Sequence, residues 1–485
     1  MKPSSTFFLI VVFLLVFTIS VSAPIDNDMW WHLRSGEEMA QQGKILLTDE
    51  FSYTKFGETW VNAFWLSDLI LYGLWRLGGF FAVTVATALM AAAVMLVVFS
   101  QMQGSPYSRG LLILLAMSGA VANWTPRPQL ASFLLLAILD AFLHRHFRIK
   151  PQPLWILPPL FILWGNLHGG YIWGALLLVA VLAGEALDIL FANQPAANWK
   201  TLGALAAWSA LAFLLLPLNP NGFALWRLPF TQVNVSLAIQ EWLSPNFHQF
   251  YAHPLLWLLF LWVAALGLGS ARASFADLLK GMGFAYLFFF AQRNLVVYAI
   301  VITPIVSRAL VPALGRLAAA PFVQRMSARL ESSPSREPLS LVVTRSVNLI
   351  FIAALVGLNL FYAFLVSRPA NIDLLTPARS AAWIESNRPQ GRIFNSYNWG
   401  GYVVWRLRGY PVFIDGRADL YGNAMLQTWM EISSGSPRGL QLLDEYEINL
   451  IYLEPSQPLL AKLPADQWLR AYADSQMVVY QRILP

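Results

Sequence analysis

Long apolar runs separated by short polar connections fill the chain up to residue 367. A helix that crosses a bilayer needs ~20 apolar residues, and fewer where neighbouring helices cover its ends. We therefore predict a mainly α-helical, polytopic membrane bundle with about eleven spans. They lie at 6–23, 80–101, 109–124, 128–145, 152–165, 171–192, 200–217, 254–270, 274–291, 294–312 and 342–367.

Basic residues collect in every second connection between these runs. They are Lys2, Arg109, HRHFRIK at 144–150, Lys200, Arg272, Lys280 and the arginines of 313–340. Because Lys and Arg in short loops favour the cytoplasmic side, we place these connections and the N-terminus in the cytoplasm. The segment 24–79, the connection 217–253 and the tail from 368 are then predicted to lie outside.

The first apolar run has two interpretations. Lys2, the apolar stretch and the small residues Ser22 and Ala23 also fit a secretory signal peptide. Pro24 stands where a mature chain would begin, and the run merges into further apolar sequence. We therefore expect a retained first helix.

The outer segment 24–79 is more than a simple loop. HLRSGEEMAQQ predicts a short helix, TDEFSY a turn, and WVNAFWLSDLILYGLWRLGG an amphipathic helix. The last of these carries Trp60, Trp65, Tyr72 and Trp75. Aromatic residues at this density are typical of the membrane interface.

Beyond residue 367 the chain has the composition of a soluble domain. Strands are predicted at GRIFN, PVFID, INLIYLE and MVVYQR, with helices between and around them. Strands that alternate with helices favour a parallel sheet. We therefore divide the chain into a transmembrane bundle, 1–367, which includes the outer segment, and an extracytoplasmic α/β domain with a largely parallel sheet, 368–485.

Composition agrees with a membrane protein and excludes several classes of function. Only 12% of the residues are charged and the mean hydropathy is +0.54, whereas soluble domains carry about 25% charged residues. The net charge of +6 lies at the ends of apolar runs, so it does not indicate a nucleic-acid partner. The absence of cysteine removes thiolate nucleophiles and Cys-ligated zinc. The sequence also lacks the GxxxxGK[ST] phosphate loop and the HExxH zinc motif.

Two acids follow the first span directly, in PIDNDMWWHL at 24–33. A carboxylate at a water-accessible surface, such as that of Asp26 or Asp28, can accept a proton from a hydroxyl or help to bind Mg²⁺ or Mn²⁺. The neighbouring Trp31 and His32 suit a sugar ring, although interfacial aromatics look similar. The alternative is that both acids are solvated, with Asp28 capping the next helix.

Further candidates lie in other predicted outer connections. His168 in NLHGGYIWG is flanked by glycines that allow a close approach to a ligand, or that serve helix packing. Glu241 and His248 lie in the long aromatic connection 217–253 and are either polar contacts or interfacial anchors. Asp415 and Arg417, with Asp419, follow a predicted strand, where α/β sheets bind ligands. Alternatively, Asp415 and Arg417 form an ion pair that fixes the tail domain to the bundle.

Two arginines break the cytoplasmic pattern, namely Arg127 in NWTPRPQ and Arg293 in AQRN. A cation on the outer side needs a partner, and a phosphate fits because guanidinium matches it in a bidentate manner. The alternative partner is an acid such as Asp28.

Together these features resemble the GT-C superfamily of membrane glycosyltransferases, in its bacterial branch related to oligosaccharyltransferase catalytic subunits and protein mannosyltransferases. The resemblance rests on the acidic motif after the first span, the amphipathic helices of that loop, the many spans and the outer C-terminal domain. NWGGYVVW is similar to the tryptophan and glycine motif that opens that domain in oligosaccharyltransferases. Gly400 departs from it, since an aspartate is expected there.

The resemblance implies transfer of a sugar from a polyprenyl-phosphate-linked donor to a glycan, lipid or protein acceptor outside the plasma membrane of a bacterium. Asp28 or Asp26 would then be the base or a metal-linked carboxylate, and membrane lipids would surround the bundle. Two alternatives remain. A transporter would place polar groups at mid-bilayer, and the centres of most runs lack charges. A non-catalytic relative would bind lipid-linked glycan without turnover.

Overall fold

Helices make up most of the computed structural model, which describes residues 3–191, 196–231, 240–269, 272–321 and 341–483. In chain order they are α1 (Pro3–Ser20), α2 (Met29–Gln42), α3 (Trp65–Ser100), α4 (Pro106–Gly119), α5 (Gln129–Arg148), α6 (Leu157–Leu167), α7 (Tyr171–Leu190), α8 (Trp199–Leu214), α9 (Leu228–Thr231), α10 (His253–Leu268), α11 (Phe275–Phe290), α12 (Leu295–Ala318), α13 (Leu341–Val366), α14 (Pro369–Leu375), α15 (Ala378–Asn387), α16 (Gly400–Arg406), α17 (Ala418–Ser434) and α18 (Pro437–Glu445).

Each of the eleven predicted spans overlaps one of these helices. Within the described residues, α3, α5, α7, α10, α12 and α13 are long and apolar enough to cross a membrane, and α1, α6 and α8 are shorter apolar helices. Lys2 and the basic stretch 322–340 lie outside the described residues. The prediction of a mainly helical membrane protein is confirmed.

Helix α12 lies at the centre of the bundle. Every side chain from Leu295 to Ser307 is buried, and these residues are almost all apolar. A helix that is apolar on all sides must be surrounded by other helices, here α4, α5, α10 and α11 among them. Among the described helices of the bundle, α13 contacts mainly α1 and α3, and it exposes most of its apolar surface. That surface is suited to lipid.

Helix α3 joins the predicted amphipathic segment to the second span through a sharp break. Gly79 has φ 59° and ψ −151°, a backbone conformation that side chains exclude. The preceding Gly78 is also non-helical. The first part of α3 packs against α2, whereas the second part enters the core of the bundle. The two glycines therefore let the chain change direction between the outer segment and the span.

The tail domain contains a four-stranded sheet in the order β1-β2-β4-β3. The strands are β1 (Arg392–Asn395), β2 (Ile448–Leu453), β3 (Trp468–Ala473) and β4 (Val478–Arg482). Only β1 and β2 run parallel, and the other two pairs are antiparallel. The prediction of a largely parallel sheet is wrong, because the α-helices lie in the β1–β2 crossover, whereas β2 reaches β3 through a short 3-10 helix and a short connection joins β3 to β4 as a hairpin.

The predicted strand PVFID, 411–415, does not join this sheet. The Val412 N–H donates to the carbonyl of Phe51 at 3.0 Å, and its carbonyl accepts from the Tyr53 N–H at 3.2 Å. The segment thus pairs with the outer segment that precedes α3. Its apolar residues are buried, as they would be in a strand of the sheet. Hydrophobicity alone therefore could not show that the segment pairs with the outer segment and not with the sheet.

The tail domain and the outer segment share one hydrophobic core. Trp30 of α2 lies edge-to-face with Tyr402 of α16, with ring centroids 5.0 Å apart. A Cβ on Gly401 would stand 2.5 Å from the carbonyl of Asn27, and one on Gly400 would overlap the carbonyl of Ile414. Glycine is therefore required at both positions, which explains why Gly400 departs from the aspartate of the resemblance.

Candidate active site

A cavity of about 350 Å³ lies between the end of the helical bundle and the tail domain. Its volume falls in the range of small-ligand sites, about 300 to 1,000 Å³. It is lined by Asn27, Asp28, Trp31, His32, Phe64, Arg127, Pro128, Gln129, His168, Glu241, Trp242, Gln292, Arg293, Tyr397, Asn398, Gly416, Ala418 and Asp419. Five separate connections that the sequence places outside, together with the tail domain, therefore meet at one site.

Asp28 forms part of the cavity wall at the start of α2. Its side chain makes no capping bond; instead Oδ1 accepts from Trp31 Nε1 at 3.2 Å, and Oδ2 lies 3.2 Å from Arg127 Nη1. Burial raises the pKa of Asp28 to about 7, against the opposing effect of Arg127, and the charges of Asp26 and Glu241 add to the rise. The carboxyl group can thus take up and release a proton near neutral pH.

Arg127 is held by three carboxylates. Its Nε lies 2.5 Å from Asp26 Oδ2, and its Nη1 lies 3.2 Å from Asp28 Oδ2 and 2.9 Å from Glu241 Oε2. The ion-pair alternative from the sequence is therefore the observed arrangement. Burial opposes the ionisation of Glu241, but Arg127 and Arg293 together lower its pKa below the usual value.

Asp26 supports this cluster from outside the cavity. It is nearly buried, pairs with Arg127 and accepts the backbone N–H of Asp28 at 2.9 Å. Its contacts fix the position of Asp28 and Arg127.

Arg293 has a different environment. Its guanidinium stacks 4.2 Å from the ring centroid of Trp242. Among the described residues, no carboxylate lies within the 4.0 Å of an ion pair with it. Arg293 lines the cavity, so an anion that enters there would meet a guanidinium that forms no ion pair among the described residues, although the charges of Glu241 and Asp28 act on it.

Two histidines reach the cavity. His32 Nδ1 lies 2.6 Å from the buried Asp68 Oδ1. His168 Nδ1 accepts the Gly170 N–H at 2.9 Å and contacts Ser132 Oγ at 2.7 Å, so its proton lies on Nε2. Burial lowers the pKa of both, that of His168 to about 3, with nearby arginines contributing. Both rings are therefore neutral at pH 7.

The tail domain contributes the remaining wall. A Cβ on Gly416 would overlap Oδ1 of Asp28, so this loop lies directly against the carboxylate. Asp419, at the start of α17, faces the cavity, and burial raises its pKa to about 6. The sequence analysis placed Asp419 after a predicted strand, where sheets bind ligands, but it did not single out Asp68 or Tyr397. Asp68 was detectable only as the single acid of an amphipathic helix.

Three other predicted residues lie away from the cavity. Arg417 Nη1 lies 2.6 Å from Asp49, its Nη2 lies 2.7 Å from Asp415, and its guanidinium is 5.0 Å from the ring of Trp60. All three charged side chains, Arg417, Asp415 and Asp49, are fully buried. They form the structural ion pair that the sequence analysis gave as the alternative to a ligand site. His248 is exposed, and its side chain does not border the cavity.

The described residues contain no group of three or more His, Asp or Glu side chains placed to hold a metal ion. Asp26, Asp28 and Glu241 lie around Arg127 instead.

No protein-family model and no curated protein matches the sequence. Solved structures do match. The archaeal oligosaccharyltransferase AglB from Archaeoglobus fulgidus, in complex with an inhibitory peptide and a dolichol-phosphate, aligns at a TM-score of 0.57 with 12% identity, over 93% of this chain and 70% of that one. The same organism's enzyme tethered to an acceptor peptide with the NVT sequon aligns at 0.54 and 12% identity, over 99% and 74%. The chain therefore has the GT-C fold.

Proposed function

We propose that this protein transfers a sugar from a polyprenyl-phosphate-linked donor to an acceptor on the outer side of a bacterial plasma membrane. One observation carries the proposal. Asp28, whose pKa of about 7 suits a general base, and Arg293, which has no carboxylate partner among the described residues, line the same cavity of a GT-C fold.

The proposed reaction needs one base and one anion-binding group. The acceptor hydroxyl attacks the anomeric carbon while its proton passes to a carboxylate oxygen of Asp28. The bond between that carbon and the phosphate oxygen breaks, and its electron pair leaves with the phosphate. Arg293 stabilises the departing phosphate, whose charge rises in this step. The neutral His168, with its proton on Nε2, can donate to a sugar or phosphate oxygen.

The alignment supports a lipid-linked donor. The archaeal relative in fold was solved with a dolichol-phosphate, which is an isoprenoid phosphate of the proposed class. The cavity lies at the end of the bundle, where a lipid in the outer leaflet presents its head group. An acceptor class is not assigned by this likeness, and a glycan, lipid or protein hydroxyl or amide all suit the same base.

The structure supports the division of the connections into two sets. Gln103, His144, Arg148 and Arg272, from connections that the sequence places in the cytoplasm, line a second cavity at the opposite end of the bundle, together with Arg308 of the span 294–312. Thus the two sets of connections, assigned from charge alone, lie at the two ends of the molecule. We therefore propose a cytoplasmic N-terminus and an extracytoplasmic tail domain.

The test is an assay of purified protein with a panel of labelled polyprenyl-linked sugars and membrane-extract acceptors. We expect Asp28→Asn to lower turnover by about 10² to 10⁴ while donor binding persists. Asp26→Asn should lose less, because Asp26 positions its neighbours and does not reach the cavity. Asp373→Asn, at an exposed site in the tail domain, is the matched control.

Arg293→Gln tests phosphate binding separately from the base. We expect it to weaken donor binding and to leave Asp28 in place. Full activity in Asp28→Asn would reject the base assignment. Donor binding without turnover in the wild type, across the whole panel, would favour the non-catalytic alternative.

A further inference from the structure

Two carboxylates of the cavity wall, Asp28 and Glu241, and the adjoining Asp26 surround a guanidinium. Divalent cations such as Mg²⁺ need several oxygens at about 2.0 to 2.6 Å. The three acids that could supply them are Asp26, Asp28 and Glu241, and each already lies within 3.2 Å of a nitrogen of Arg127. A metal ion between these oxygens would have to share the space with a fixed positive charge.

The backbone around Arg127 holds the side chain in this position. Prolines 126 and 128 flank the residue and restrict its conformations. Its carbonyl accepts the Leu130 N–H at 3.1 Å as α5 begins, and its own N–H donates to Thr125 at 2.7 Å. Its side chain is partly buried, and arginine stays protonated at every accessible pH. Arg127 is therefore a permanent and well-placed cation.

The residues present do not fit a divalent metal. The three carboxylates point to one side chain that neutralises part of their charge, and the described residues offer no other metal-binding group. We propose that Arg127 takes the place of a divalent cation at this site, so that the intact protein organises Asp28 and Glu241 without metal. The inference deepens the proposed function and rests on it for the site's role, but its test needs no sugar donor.

The test measures Mn²⁺ binding to the purified full-length protein by electron paramagnetic resonance. We expect wild-type protein to show no saturable site with Kd below ~1 mM. Arg127→Ala leaves the three carboxylates without their cation and should gain one site, with binding roughly tenfold or more tighter. The double variant Arg127→Ala with Asp28→Asn should lose it again. Arg34→Ala is the matched control, because Arg34 also pairs with two acids, Glu37 and Glu38, away from the cavity.

A stoichiometric Mn²⁺ site in the wild type that disappears in Asp28→Asn would overturn the proposal, as would an Arg127→Ala protein that folds and gains no site. If Arg127→Ala does not fold, the comparison of Mn²⁺ binding by wild-type protein and by Asp28→Asn still tests the proposal. The outcome is separable from the proposed function. Metal exclusion without sugar transfer refutes only the function, whereas transfer that requires Mn²⁺ bound at Asp28 refutes only this inference.

Discussion

Asp28 is surrounded by groups from three parts of the chain. Trp31 donates to it from the next turn of α2, Arg127 pairs with it from the start of α5, and Gly416 presses against it from the tail domain. These contacts fix its orientation but leave it short of water and close to two other acids. The residue proposed as the base is therefore held in an environment that disfavours its charge.

This environment predicts an unusual pH dependence of stability. The pKa of Asp28 is raised in the folded state to about 7, so ionising it costs the folded protein stability as the pH rises from about 4 to 7. Asp28→Asn removes that cost, on the order of a few kcal/mol. We expect the variant to have a higher Tm than wild type at pH 8, with the difference shrinking towards pH 4.

Thermal unfolding in detergent at several pH values checks this, with Asp373→Asn as the control for a general charge effect. An Asp28→Asn protein that is less stable than wild type at pH 8 would contradict the predicted pKa. In the proposed reaction the same titration makes activity rise with pH through about 7, since only the carboxylate accepts a proton.

Sequence reasoning reached part of this site because of where the residues stand in the chain. Asp28 and Arg293 lie at the outer ends of spans, so hydropathy and charge located them on one surface. The residues that these side chains contact could not be predicted from the sequence. Whether Arg127 meets Asp28, Glu241 or a ligand depends on how α2, α5 and the connection before α10 pack, and the His32–Asp68 contact depends on the rotation of α3 against α2.

At the level of elements, the spans and the strands β1, β2 and β4 were predictable, whereas the pairing of the strands was not. A bilayer imposes a length on every apolar helix, so local sequence is sufficient to place it. Strand pairing is decided by distant partners. The segment PVFID is as apolar as a central strand, yet it pairs with the turn TDEFSY of the outer segment. The segment WLRAYA forms an edge strand that the sequence analysis did not predict.

The pairing of the outer segment with the tail domain is reinforced by a buried ion pair. Asp49 accepts from the backbone of Phe51 and Ser52 and pairs with Arg417, and both charges are fully buried. Asp49→Asn leaves Arg417 with one carboxylate fewer. Since breaking a buried pair costs about 3 to 5 kcal/mol, we expect a marked fall in Tm and faster proteolysis of the tail domain.

Lys44→Gln provides the comparison. Lys44 forms an ion pair with Glu50 on the surface of the same segment, and its side chain is 61% exposed. Pairs of this kind contribute less than about 1 kcal/mol, so its Tm should remain close to wild type. Equal Tm values for both variants would show that the Asp49–Arg417 pair does not hold the domain in place.

In the whole molecule, charged and histidine side chains of the connections gather at two opposite ends of the bundle. Carboxylates, histidines and arginines of the predicted outer connections meet around the first cavity, and those of the predicted cytoplasmic connections around the second. Charge alternation along the sequence anticipated this division, although it could not show that each set converges.

Single cysteines test the orientation in membranes, and the natural chain has no cysteine to remove. Ser105 and Ser434 are both exposed, at the predicted cytoplasmic and outer ends. We expect a membrane-impermeant maleimide added to intact cells to label Ser434→Cys only, and to label both variants after permeabilisation. Labelling of Ser105→Cys in intact cells would contradict the proposed orientation.

The shared wall of the first cavity also sets an order of events during biosynthesis. Asp28 leaves the ribosome early, whereas Gly416 and Asp419, which border the same cavity, follow nearly 400 residues later. At synthesis rates of about 5 to 20 residues per second, the delay is roughly 20 to 80 s. Throughout the synthesis of the intervening spans the nascent chain therefore carries an unfinished cavity, which closes only after the tail has been made and has folded.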